Sequence, residues 1–153
     1  MTMREMTGDD CRALLARSSF GRLGCSLEDQ PYIVPISFVY EGDYLYFFAT
    51  YGQKIKWMRT NPKVCVQVDE IASQFKWQSV VVVGSYQELK EPQFELELAH
   101  ARKLLDRPYR WWLNVLAERQ LKSDEELIPP LFFRVRIESL SGLDSVSESE
   151  TGG

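Results

Sequence analysis

Residues 31–84 read PYIVPISFVYEGDYLYFFATYGQKIKWMRTNPKVCVQVDEIASQFKWQSVVVVG. Within them alternating strands, a basic helix start and a strand-opening tryptophan follow one another in compact order. Tyr32 to Tyr40 is apolar and β-branched, and Glu41-Gly42-Asp43 supplies a turn after it. Tyr44 to Ala49 is almost continuously aromatic or apolar, which fits a strand covered on both faces. Gln53 to Thr60 has Ile55 and Met58 at helical spacing. Asn61-Pro62 stops it, because the residue before a proline disfavours the α region. Val64, Val66 and Val68 alternate with Cys65, Gln67 and Asp69, and Ser79 to Val83 is a second β-branched run closed by Gly84. Those last two strands are expected side by side in one sheet.

Upstream, Thr7 and Asp10 form a capping-box pattern, and Cys11, Leu14 and Leu15 recur as on a short helix reaching about Ser18. Phe20 to Leu27 pairs with the Tyr32 strand as a hairpin, with Glu28, Asp29 and Gln30 as its turn. Downstream, Pro92 suits a first helical position, and Phe94, Leu98, Ala101 and Leu105 carry a helical period to Asp106. Arg107-Pro108 interrupts it. Tyr109, Trp111, Trp112, Val115 and Leu116 suggest a second helical piece, the polar run Lys122 to Glu126 a loop, and Phe132 to Ile137 a last strand. From residue 144 the chain is too polar and small to pack and is expected to be a disordered tail, leaving one domain over 1–143. Six or seven mostly antiparallel strands with sparse helices indicate a mainly β fold, a small barrel with helical additions.

Composition bounds the function. The chain has 153 residues, 44% hydrophobic and 26% charged, as in one globular domain able to bury a core without metals or disulfides. Its three cysteines, Cys11, Cys25 and Cys65, are widely spaced and lack a CxxC pair, so a reducing cytoplasm is expected rather than a disulfide framework or a zinc site. No apolar run approaches the roughly 18 residues of a membrane span. A formal charge of −4 offers no basic field for nucleic acid. Lys54, Lys56 and Arg59 nonetheless gather cations in one short segment, so any anion bound there is expected to be small.

The order GRLGCS, QPYIVPISFVY, LYFFATYGQKIKWMRTNPKVCVQVDE, WQSVVVVGSYQEL and LFFRVRIESLSG resembles the flavin-binding split-barrel proteins related to pyridoxamine 5′-phosphate oxidase, particularly the branch that includes nitroimidazole-resistance proteins. The resemblance runs from about Met6 to Leu143. It implies a split β-barrel and a homodimer, with flavin mononucleotide (FMN) in grooves at the subunit interface and each site drawing on both chains. FAD is an alternative cofactor. It also implies roles for particular residues. Gln53 and Lys54, at a helix N-terminus with its unpaired N–H groups, suit the phosphate. Ala49 and Thr50 lie beside them for the ribityl chain or phosphate, although Thr50 equally suits a helix cap. Pro35, Ile36 and Ser37 approach the isoalloxazine through main-chain groups and apolar contacts, with a core role open for Ile36. Trp77 packs on the ring system, or in the barrel, and Ser79 reaches polar atoms. Trp111 and Trp112 are read as core residues rather than ligands.

The chain also departs from the family. Where the nitroimidazole-resistance branch often has a histidine, this chain has Phe47-Phe48-Ala49, so no nucleophilic role transfers. The lone histidine, His100, reads as a solvent-side or helix-packing residue. The Arg-and-His pair of a pyridoxal-phosphate oxidase is not matched in the serine- and glutamate-rich C-terminal segment. Without an obvious acid, base, nucleophile, GxGxxG or phosphate loop, the leading reading is an FMN-dependent oxidoreductase that takes a hydride from a reduced nicotinamide and serves a small acceptor, the cofactor supplying the chemistry. A non-catalytic flavin carrier or sensor, and a haem-binding protein on the same barrel, are the alternatives.

Overall fold

The computed structural model describes residues 2–106 and 130–146. The second helical piece expected at 109–116, with Trp111 and Trp112, the loop expected at 122–126 and most of the expected tail lie outside the described residues.

The elements run β1 (Thr2–Glu5), α1 (Gly8–Arg17), β2 (Phe20–Leu27), β3 (Gln30–Ser37), β4 (Val39–Glu41), β5 (Tyr44–Ala49), α2 (Gln53–Thr60), β6 (Lys63–Ser73), β7 (Lys76–Glu88), α3 (Glu95–Leu105) and β8 (Leu131–Val146). All strand pairs are antiparallel, in the order β3-β2-β6-β7-β8-β5-β4, with β1 added beside β8. The strands curl so that β3 also meets β5, and their inner faces share one core with α1 and α2. Phe47 and Phe133 stack at its centre, 4.8 Å between centroids. α3 packs outside on β5 and β8 over a second, smaller cluster that includes Tyr46, Leu98 and Phe132. Among the described residues no helix is long and apolar enough to cross a membrane.

Local chemistry explains several boundaries. The Asp10 N–H donates to Thr7 Oγ1 at 3.1 Å and the Thr7 N–H to Asp10 Oδ2 at 3.4 Å, so the expected capping box starts α1. The β2–β3 turn is two residues, Glu28 and Asp29, both left-handed with φ of 50° and 65°, which matches the twist of a hairpin; Gln30 already pairs with Leu27. Gly84 lies against β8 so closely that a Cβ would stand 2.1 Å from the Arg136 carbonyl oxygen, which only glycine permits.

Five expectations change. The strand expected from Tyr32 to Tyr40 divides at Phe38: β3 pairs with β2, β4 pairs with β5, and the buried Phe38 donates its N–H to the Ser19 carbonyl at 3.0 Å. The last strand is not confined to Phe132–Ile137 but spans 16 residues, since its polar second half finds β7 on one side and β1 on the other. Residues 144–146, assigned to the tail, therefore belong to the sheet; Ser145 is buried and its Oγ accepts the Trp77 N–H at 2.7 Å. β1 has no apolar period and raises the count to eight strands among the described residues. Pro92 precedes α3 rather than opening it, and the helix begins at Glu95.

Burial pushes the Tyr86 phenol up to about 12, against the opposing pull of Arg59. A folded pKa above the unfolded value near 10 means the folded state holds this proton more tightly, so the contribution is full below pH 10 and is lost as pH rises towards 12. Chemical denaturation across that window should show a loss of stability that is smaller in Tyr86→Phe; identical slopes in both proteins would contradict it.

Candidate functional site

The expected site residues fall into three places. The first is the tip of α2. Gly52 is the N-cap and makes no side-chain cap bond, and the first turn carries Gln53 and Lys54 with no acidic residue. Thr50 is therefore not the cap of α2. A Cβ on Gly52 would meet nothing within 4 Å, so this helix end faces open space. First-turn N–H groups and the positive end of a helix dipole favour an anion in general, and Lys54 adds a cation to this turn. Ala49, by contrast, is part of the core, which leaves only its backbone for a ligand, and Thr50 is half-buried.

The second place is the C-terminal end of β3. Pro35 is exposed and Ser37 half-buried, but Ile36 is 7% exposed and packs in the core. Its side chain faces inward because side chains alternate along a strand, leaving its main chain alone to meet a ligand. The third is the start of β7, where Trp77 and Ser79 are half-buried.

Strand register connects these places. Pro35 lies opposite Arg22, Arg22 opposite Gln67, Gln67 opposite Val81 and Val81 opposite Ser141. In the next row Ser37 lies opposite Phe20, while Asp69, Ser79 and Leu143 face one another on the far side. Directly opposed residues share a face, so all of these stand on the outer surface of the sheet. β2 and β6 intervene between β3 and β7, which separates Ser37 from Ser79 by about 14 Å at the usual strand spacing. Within one chain the two groups do not meet.

That outer surface carries several large apolar side chains. Met3, Phe20, Ile33, Ile71, Val81, Val83 and Leu143 are all large, exposed hydrophobics on these strands. Two hollows indent it: one of about 590 Å³ over Gly24, Ile33 and Cys65, another of about 440 Å³ over Ser79, Val81 and Leu143. A polar line crosses the surface between them. Gln67 Nε2 donates to Ser79 Oγ at 3.0 Å and to Asp69 Oδ2 at 3.1 Å, and Arg22 reaches Asp69 at 3.4 Å. Ser79 Oγ accepts from Gln67, and its hydroxyl can also donate one hydrogen bond. Sequence reasoning missed Arg22, Gln67 and Asp69. Only the register shows that they share a face with Ser79, although the alternation of β6 had marked Gln67 and Asp69 as facing away from the core.

Cys25 is buried, and burial pushes its thiol up, followed by the nearby Cys65, while the Lys54 ammonium pulls it down. His100 bonds Glu41 at 2.7 Å and meets the Tyr46 ring edge-on at 5.8 Å, tying α3 to β4 and β5.

A family model described as pyridoxamine 5′-phosphate oxidase matches residues 7–143. The chain belongs to this family. An uncharacterized protein of Rhizobium meliloti is 47% identical over 113 residues, covering 73% of this chain and 75% of that protein. Among solved structures, a FAD-binding protein from Mesorhizobium loti is 37% identical, with 96% of this chain and 99% of that one covered and a TM-score of 0.77. The FAD binding protein of Mycobacterium smegmatis is 20% identical, with 95% and 100% covered and a TM-score of 0.65. The fold is the family's split β-barrel, as the sequence resemblance implied.

Proposed function

We propose that this member of the pyridoxamine 5′-phosphate oxidase family binds a flavin at a site shared between two copies and uses it as a reductase or oxidase with NAD(P)H as electron donor. The observation that carries the reading is the open, uncapped N-terminus of α2 with Gln53 and Lys54 in its first turn. The phosphate attached to the ribityl chain is common to FMN and FAD, and either suits that seat. The FAD-binding character of the Mesorhizobium loti protein supports the cofactor class.

The apolar outer surface supports the dimer. A large exposed patch of this kind marks an interaction surface, and a second copy related by a twofold axis covers it with itself. Such a pairing would let the Trp77–Ser79 end of one chain complete a site with the α2 tip of the other. A bound flavin supplies two-electron redox chemistry. This chain's residues then do the rest. Gln53, Lys54 and the helix tip hold the phosphate, Pro35 to Ser37 present main-chain groups, Trp77 offers a flat apolar surface, and the Ser79 hydroxyl donates to a ring acceptor.

The protein as purified, or after adding FMN or FAD, should be yellow, and anaerobic NADH or NADPH should bleach that colour. A colourless protein that takes up neither flavin would contradict the binding site, and a yellow protein that neither nucleotide bleaches would favour a carrier or sensor. The haem alternative has less support, since the single histidine is engaged with Glu41 and Tyr46.

A further inference from the structure

The far end of α2 is built more elaborately than a short helix needs. Arg59, in its last turn, donates through Nε to Glu88 Oε1 at 2.8 Å and through a terminal nitrogen to Glu88 Oε2 at 3.1 Å. Glu88 also accepts the Tyr86 hydroxyl at 2.6 Å and pairs with Lys90 at 2.8 Å, and its side chain is 9% exposed. Both carboxylate oxygens are thus engaged twice, at the end of β7 where Glu88 pairs with Phe133 of β8. A bidentate arginine–carboxylate pair fixes the plane of the guanidinium as well as its position. The guanidinium carbon lies over the Tyr51 ring, 5.2 Å from its centroid. Helical side chains lean towards the N-terminus, which carries the Arg59 guanidinium back along the helix to the residue just before the N-cap.

We propose that Arg59, anchored by Glu88, is a positioning residue for the phosphate seat: by stacking on Tyr51 it holds the segment from Thr50 to Gly52 that delivers the first turn of α2. The inference rests on the phosphate assignment to Lys54 and the α2 tip. Arg59 is not itself a phosphate ligand. Its Nε and one terminal nitrogen are already occupied by Glu88. An unfixed Tyr51 lets the preceding segment sample other conformations, so the N–H groups at the tip are less often arranged for an anion.

The test compares FMN with riboflavin, which lacks the phosphate, by fluorescence titration of the full chain. Tyr51 is 47% exposed, so Tyr51→Leu spares the core. It should weaken FMN about fivefold to tenfold and riboflavin by less than about twofold, with Tyr51→Phe close to the unaltered protein because the ring is kept. Glu88→Gln should follow Tyr51→Leu. In a Lys54→Ala background Tyr51→Leu should cost FMN less than it does alone, because the two act on one seat. Should Lys54→Ala lower FMN and riboflavin binding equally, the phosphate assignment itself falls. With Lys54→Ala selective for FMN, the positioning role is overturned by either of two results: equal losses of both flavins in Tyr51→Leu and Glu88→Gln, or losses that add fully to that of Lys54→Ala.

Discussion

Val81→Glu is expected to leave the chain monomeric at micromolar concentration and to abolish flavin binding, while the fold survives. Val81 stands in the middle of the apolar outer surface, flanked by Gln67 and Ser141, and is exposed in the single chain. A carboxylate there remains in water in the monomer. In a symmetric dimer it is buried without a partner, a penalty of about 3–5 kcal/mol, or a factor of several hundred or more in association. Sedimentation of the variant beside the parent protein checks the first part, and flavin titration the second. A dimer of unchanged strength would move the interface elsewhere.

The second large effect is expected at Lys54. Lys54→Ala should weaken FMN about tenfold or more, as loss of a charge-assisted bond to a phosphate of nearly two negative charges, and leave riboflavin within about twofold. The helix tip and its N–H groups remain in the variant, so residual FMN preference is expected to persist. Raising the ionic strength should narrow the difference between the two proteins, because the lost term is electrostatic. If riboflavin weakens by the same factor, Lys54 supports the fold of the site rather than the phosphate.

How far the sequence could be read depended on whether a feature is local. The limits of α2 were legible because Ile55 and Met58 mark its buried face and Asn61-Pro62 ends it; α1 was legible through its capping box. The continuous apolar run of β5 announced a strand covered on both sides, which α3 and the core provide. What depends on partners was not legible. The polar half of β8 is a strand only because β7 and β1 bracket it, and the break at Phe38 is a change of neighbours that no residue type announces. The same limit applies to the site. The cationic helix start could be read directly, whereas the inward direction of Ile36 and the bond from Gln67 to Ser79 follow from register. The clamp of Glu88 on Arg59 joins residues 29 apart through a pairing set by the barrel.

The shared site is tested most directly by mixing two defective proteins, Lys54→Ala and Trp77→Ala, and measuring flavin binding after the subunits exchange. In a mixed dimer one site combines both defects, and the other combines an intact Lys54 from one chain with an intact Trp77 from its partner. The account predicts that binding returns at about one quarter of all sites, the statistical share in freely exchanged twofold dimers. No recovery, in a mixture shown to have exchanged, would mean that Lys54 and Trp77 of the same chain serve one site, and would contradict the account.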